Sequence, residues 1–136
     1  MPRDDGSVLA SGRMAKKRTW KPSPPRLVRA FETAVHPLKG TTQRKMFGYP
    51  AIFLRGNMVA GLFRDRMVLR LNDRDLDRFL ALAGAHPFVA MGRTMRQWAM
   101  VPPAMATSPA RVRPWLRRAV AHARTLPAKP VRRPKS

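Results

Sequence analysis

Ala51-Ile52-Phe53-Leu54-Arg55-Gly56-Asn57-Met58-Val59-Ala60-Gly61-Leu62-Phe63-Arg64-Asp65-Arg66-Met67-Val68-Leu69-Arg70-Leu71 is the stretch on which the fold turns. Apolar runs at residues 51–54, 58–63 and 67–71 are separated by Arg55-Gly56-Asn57 and Arg64-Asp65-Arg66. Runs of this length suit strands and breaks this short close hairpins, so the stretch predicts an antiparallel meander. Beyond it, Asn72 reads as a helix N-cap with Asp73 and Asp75 in the first turn, where carboxylates favour the positive end of the helix dipole. Leu76, Phe79, Leu80 and Ala83 give that helix its apolar stripe, and Gly84 suits its end. Two further strands, residues 88–91 and 95–101, join across Gly92-Arg93-Thr94. On the N-terminal side, Ser23-Pro24-Pro25 predicts the start of a helix, with Ser23 as its cap, running to about His36 and stopped by Pro37. On the C-terminal side a last helix follows Ser108-Pro109 and presents Val112, Leu116, Ala119, Val120 and Ala123 along one face. Pro114 predicts a kink there, or a regular part beginning at Arg113. The order α-β-β-β-α-β-β-α predicts an α+β fold in two layers, an antiparallel sheet of about five strands covered by helices.

A chain of 136 residues suits one domain. Residues 1–25 and 127–136 are basic and Pro-bearing, which predicts tails flanking a domain at 26–126. Met14 followed by Lys16, Lys17 and Arg18 resembles a chain start, so residues 1–13 are expected to be an upstream extension of the reading frame. The 28 Lys and Arg against 7 Asp and Glu give +21 at neutral pH, pointing to a polyanionic partner. A hydrophobic share of 44% still allows a buried core, and the absence of Cys removes disulfides and thiolate metal sites. Stretches free of charged residues reach 14 residues and contain Pro, too short to cross a bilayer, and no secretory signal opens the chain. A cytoplasmic protein without membrane contact is expected.

Residues suited to bond-making chemistry are sparse. His36, His86 and His122 form no pair with metal-ligand spacing, and without Cys a zinc site would need distant carboxylates. Three of the five carboxylates in the central region, Asp73, Asp75 and Asp77, belong to one helix start, where capping and an ion pair of Asp75 with Arg78 explain them. Their spacing lacks the Gly and distal Glu of a calcium loop. Ser23 and Ser108 precede prolines at helix starts and lack a nucleophile-elbow context. Lys45-Met46-Phe47-Gly48 lacks the spacing of a phosphate loop. The expectation is a non-enzymatic protein with no catalytic residue, metal, cofactor or small-molecule substrate.

Charge is the remaining signal. On a helical wheel Arg113, Arg117 and Arg124 fall within about 40° of one another, with Arg111 and Arg118 on the other flank of the apolar face. Guanidinium groups so placed suit a phosphate backbone, against the competing reading of a solvated helix face. Arg113, Arg117, Arg118 and Arg124 are therefore the nucleic-acid candidates, reinforced by Lys16, Lys17 and Arg18 in one tail and Arg132 and Arg133 in the other. On the last strand Arg96, Trp98 and Met100 alternate to one side. Arg96 with Trp98 suits base stacking, while Trp98 and Met100 suit a protein interface if the sheet has a face that helices leave open. The leading expectation is a weakly sequence-specific regulatory adaptor meeting nucleic acid or a DNA-bound protein. The alternative is a protein-interaction or homodimerisation module.

Several marks recur in order from residue 44 to 129: Lys45-Met46-Phe47-Gly48, Gly56-Asn57-Met58, Val68-Leu69-Arg70-Leu71, Pro87-Phe88, Gly92-Arg93-Thr94-Met95, Trp98, Trp115-Leu116 and Thr125-Leu126-Pro127-Ala128-Lys129. In these the chain resembles the N-terminal domain of the TfoX/Sxy competence regulators, in its short stand-alone form. The resemblance implies an α+β fold like that of secretion chaperones. In full-length regulators, it implies, this domain precedes a helix-rich one and acts with a cyclic-AMP-responsive activator at competence promoters. Gly48-Tyr49-Pro50 departs from the two consecutive glycines of many members, so this turn is expected to have less backbone freedom.

Overall fold

The meander forms because its breaks are two-residue loops whose backbones take the left-handed conformation such turns need. Arg55 and Gly56 sit at φ 52° and 85° in the first break and Arg64 at 56° in the second, and the turn before the meander has Phe47 and Gly48 at 55° and 85°. The turn at residues 47–48 thus needs one glycine, and Tyr49 is already the first residue of the next strand.

The computed structural model describes residues 21–90 and 92–129. The elements are α1 (Pro25–Val35), β1 (Thr42–Met46), β2 (Tyr49–Leu54), β3 (Asn57–Phe63), β4 (Arg66–Arg70), α2 (Asp73–Leu80), β5 (His86–Ala90), β6 (Arg93–Met100), α3 (Pro103–Ala106) and α4 (Pro109–Arg124). All six strands form one antiparallel sheet in the order β1-β2-β3-β4-β6-β5. The fold is α+β as expected, with one strand and one helix more than expected. Strand β1, Thr-Gln-Arg-Lys-Met, is an exposed edge whose polar side chains leave no alternation to detect. Its Arg44 and Lys45, like Pro87 on the opposite edge strand β5, guard the sheet against adding further strands. Helix α3 is a single turn opened by Pro102-Pro103.

The helices share one face of the sheet. Ile52, Ala60, Leu69 and Ala99 are successive register partners across four strands. They join Phe31, Phe79, Leu116 and Val112 in a single core. Helix α4 lies over β2, β3 and β4, with α1, α2 and α3 against its sides. It begins at Pro109 and continues through the exposed Pro114, so its regular part starts before Arg113. The carbonyl that Pro114 leaves unbonded belongs to Ala110, in an exposed turn that water can reach. Asn72 caps α2 as expected, accepting from the Asp75 amide at 2.8 Å. Ser23 does not cap α1: Pro24 holds that position, and the Ser23 hydroxyl donates to the carbonyl of Arg64.

The opposite face carries the row Ala51, Gly61, Val68 and Met100. No helix covers this row among the described residues. The rings of Phe63 on β3 and Phe88 on β5 nevertheless meet with centroids 5.8 Å apart. Three strand spacings in a flat sheet would separate them by about 14 Å, so the sheet is strongly coiled and concave on this side. Val68 is buried on this face but outside the main core.

Past α4 the chain returns to the β2–β3 turn. The Lys129 amide donates to the Arg55 carbonyl at 2.8 Å, and Asn57 Nδ2 to the Pro127 carbonyl at 2.9 Å. A Cβ on Gly56 would lie 1.8 Å from the Lys129 carbonyl oxygen, at a φ of 85°. Gly56→Ala is therefore expected to cost about 2–4 kcal/mol in denaturant unfolding. Gly92→Ala, also at positive φ but with open space around it, is expected to cost only the backbone strain of about 1 kcal/mol; equal losses would show that the return strap does not constrain the turn.

Candidate nucleic-acid interface

Burial of the Val112, Leu116, Ala119, Val120 and Ala123 stripe sets the direction of each α4 arginine. The two flanks foreseen on the wheel face different helices. On the α1 side Arg113 donates through Nε to the Ala34 carbonyl at 3.2 Å and through Nη2 to the Thr33 carbonyl at 3.1 Å. These are unpaired carbonyls at the C-terminal end of α1, where a cation is also favoured by the helix dipole. Arg113 is thus a clamp between two helices. On the α2 side Arg118 pairs with the buried Asp75 at 3.1 Å and lies over the Trp115 ring at 5.6 Å. Asp75 thus takes Arg118 and not the neighbouring Arg78.

Arg117 and Arg124 meet elsewhere. Together with Pro37, Leu38, Lys39, Val120 and Ala121 they line an open concavity of about 330 Å³. No carboxylate lines it. Arg124 reaches the Lys39 carbonyl at 3.3 Å, and Gly40 at φ 82° lets the α1–β1 loop come this close. Arg55 Nη1 donates to the Arg124 carbonyl at 3.2 Å, which brings the β2–β3 turn and the strap at Lys129 to the same corner. Arg117 is exposed and has no hydrogen-bond or ion-pair partner among the described residues. Lys39 and Arg55 were not singled out by sequence; their signal was a cation directly before a turn glycine, Lys39-Gly40 and Arg55-Gly56. Of the other candidates, Lys16, Lys17, Arg18, Arg132 and Arg133 lie outside the described residues, as does most of each proposed tail.

The β6 candidates divide. Trp98 and Met100 pair with Arg70 and Val68 on the concave sheet face. Gln97, at φ 73°, interrupts the alternation before them, and Arg96 extends to Asp73 at 3.9 Å, with both side chains exposed. Gln97 is also the centre of a polar network. Its Oε1 accepts from Arg70 Nε at 3.1 Å and faces His122 Nε2 at 3.2 Å, while its Nε2 donates to Asp73 at 3.2 Å. Arginine can only donate and a carboxylate only accept, which fixes the amide and places the proton of neutral His122 on Nε2. The imidazole thus bonds to no carboxylate directly, Asp73 being linked to it through the Gln97 amide, and no hydroxyl or thiol bonds to it among the described residues. Nor does any group of three His, Asp or Glu suited to hold a metal occur among them.

Burial, then the charge of Arg70, lower the His122 pKa below 6.5, against the opposing pull of Asp73 and Asp75. Between the two values the unfolded chain binds a proton that the folded chain refuses, so this contribution to stability is complete above the unfolded value and is lost as pH falls through that window. Thermal unfolding across this range is expected to show the loss in the native protein and not in His122→Gln. A second expected outcome separates the arginines: Arg113→Ala costs about 1–2 kcal/mol in unfolding free energy by freeing two helix-end carbonyls, whereas Arg117→Ala stays within about 0.5 kcal/mol of the native protein.

Among the described residues no helix is long and apolar enough to cross a membrane. No curated protein and no solved structure matches this chain. The family model described as the TfoX N-terminal domain matches residues 33–123, a span that takes in the whole sheet, all of α2 and α3 and nearly all of α4. The match covers well over half of the 136 residues, and the chain belongs to the TfoX N-terminal domain family.

Proposed function

We propose that this chain is a non-enzymatic regulatory domain that contacts nucleic-acid phosphates through the corner formed by Lys39, Arg117, Arg124 and Arg55. The convergence of three cations on one concavity lined by no carboxylate carries the reading. Membership of a regulatory, non-catalytic family supports it, as does the net charge of +21. Oxygens of a phosphate backbone would take the place that water now holds around Arg117 and the Lys39 ammonium, releasing counterions from the nucleic acid. Arg124 acts while already anchored to the Lys39 carbonyl, so its guanidinium is ordered before the ligand arrives and loses little freedom on binding. The concavity is shallow and its polar groups are cations, so binding follows backbone geometry and not base identity.

Titration of duplex DNA with the full chain across salt tests this reading. Log affinity is expected to fall linearly with log salt, and Lys39→Glu with Arg117→Glu to lower the slope by about 1.8, at about 0.9 for each lost contact. Both side chains are exposed, so the melting temperature should hold. An unchanged slope in the double variant removes this corner from the interface.

A further inference from the structure

The centre of the concave sheet face, Ala51, Phe53, Gly61 and Val68, is buried, and around it lies a partly exposed apolar margin under a basic rim. Phe63 is 38% exposed, and Phe88, Met58, Met100 and Trp98 are half-buried. Guanidinium groups edge this surface on several strands. Arg44 lies 4.2 Å from the Phe53 ring centroid and Arg64 5.6 Å from that of Phe63. Arg66 shares the face as the register partner of Phe63, while Arg70, the partner of Trp98, has its guanidinium held by Gln97 beside His122 of the helical layer. Against the three cations Arg44, Arg64 and Arg66 the turn contributes one carboxylate, Asp65. Helices cover the other face, so the basic rim here is separate from the corner at Lys39.

We infer that this face docks an acidic protein segment carrying apolar side chains. Three observations select that occupant. The rim calls for negative charge, and the Met and Phe surface calls for apolar anchors, with thioethers able to adjust to their shape. Apart from Trp98, the rings are poorly placed for stacked bases: Tyr49, Phe63 and Phe88 meet edge to face at 60° and 67°, and arginines lie over Phe53 and Phe63. A base needs a free ring face, whereas a leucine or phenylalanine side chain needs only apolar contact. A second copy of the chain would bring an identical basic rim against this one, and the described residues hold only five carboxylates with which to offset it.

Binding to the full chain tests this with three fluorescent probes: a peptide alternating Glu and Leu, one of equal charge alternating Glu and Ser, and an oligothymidylate of similar length. The Glu-Leu peptide is expected to bind at least about tenfold more tightly than the Glu-Ser peptide. It should slow amide hydrogen exchange in β3, β4 and β6 of the native protein, a readout that depends on no variant folding. Arg64→Glu and Phe63→Ser should each weaken it about tenfold, and Lys39→Glu should leave it unchanged. Equal affinity for the two peptides would reduce the face to a general anion attractor and overturn the inference. So would protection centred on α4, displacement of the Glu-Leu peptide from the sheet by oligothymidylate, or a dimer of this chain that Phe63→Ser dissociates.

Discussion

Burial of one stripe of α4 against the sheet is the constraint from which the rest follows. Val112, Leu116, Ala119, Val120 and Ala123 must face β2, β3 and β4, so the arginines between them have two flanks and no other choice. One flank meets the carbonyl end of α1 and the other the start of α2, and these neighbours are electrostatically unlike. The start of α2 holds carboxylates because a helix N-terminus favours them, and Asp75 there takes Arg118. The end of α1 holds carbonyls, which bind a guanidinium without neutralising it, and Arg113 remains a cation while clamping them. The charge surplus thus meets carboxylates on the α2 side of α4 and backbone carbonyls on its α1 side.

The same division explains which parts of this arrangement could be read in advance. Apolar periodicity located α1, α2, α4 and the β2–β4 meander because burial repeats at fixed spacing. It also placed Arg113, Arg117 and Arg124 on one flank, which the structure keeps. Periodicity says nothing about what lies opposite a residue. The carbonyl partners of Arg113 are some eighty positions away, and the pairing of Arg118 with Asp75 crosses 43. Strand β1 escaped notice because an edge strand with solvent around it keeps polar side chains on both sides. Gln97 escaped for a different reason: no local signal marks a glutamine for a left-handed backbone in a strand. Three side-chain bonds to Arg70, Asp73 and His122 hold it there, and all three partners come from other elements.

A protein this basic gains from keeping its two rims apart. The corner at Lys39 and Arg117 belongs to the helical layer, and the rim of Arg44, Arg64 and Arg66 to the concave face behind it. Polyanions compete for any cation through long-range attraction, so selectivity between partners must come from shape and apolar content. The corner is open and its polar lining is cationic, with only small aliphatic groups between the cations, whereas the sheet offers methionine and phenylalanine surface. On the proposed reading, the two rims would let one small domain hold a nucleic acid and a protein at once.

Backbone amide chemical shifts recorded while a short DNA duplex is added test the central claim, that the useful charge of α4 is gathered on its α1 side. Shifts concentrated at Lys39, Gly40, Arg55, Arg117, Ala121 and Arg124 are the predicted result. Shifts centred on α2 and β6, or spread evenly over every exposed arginine, would contradict it.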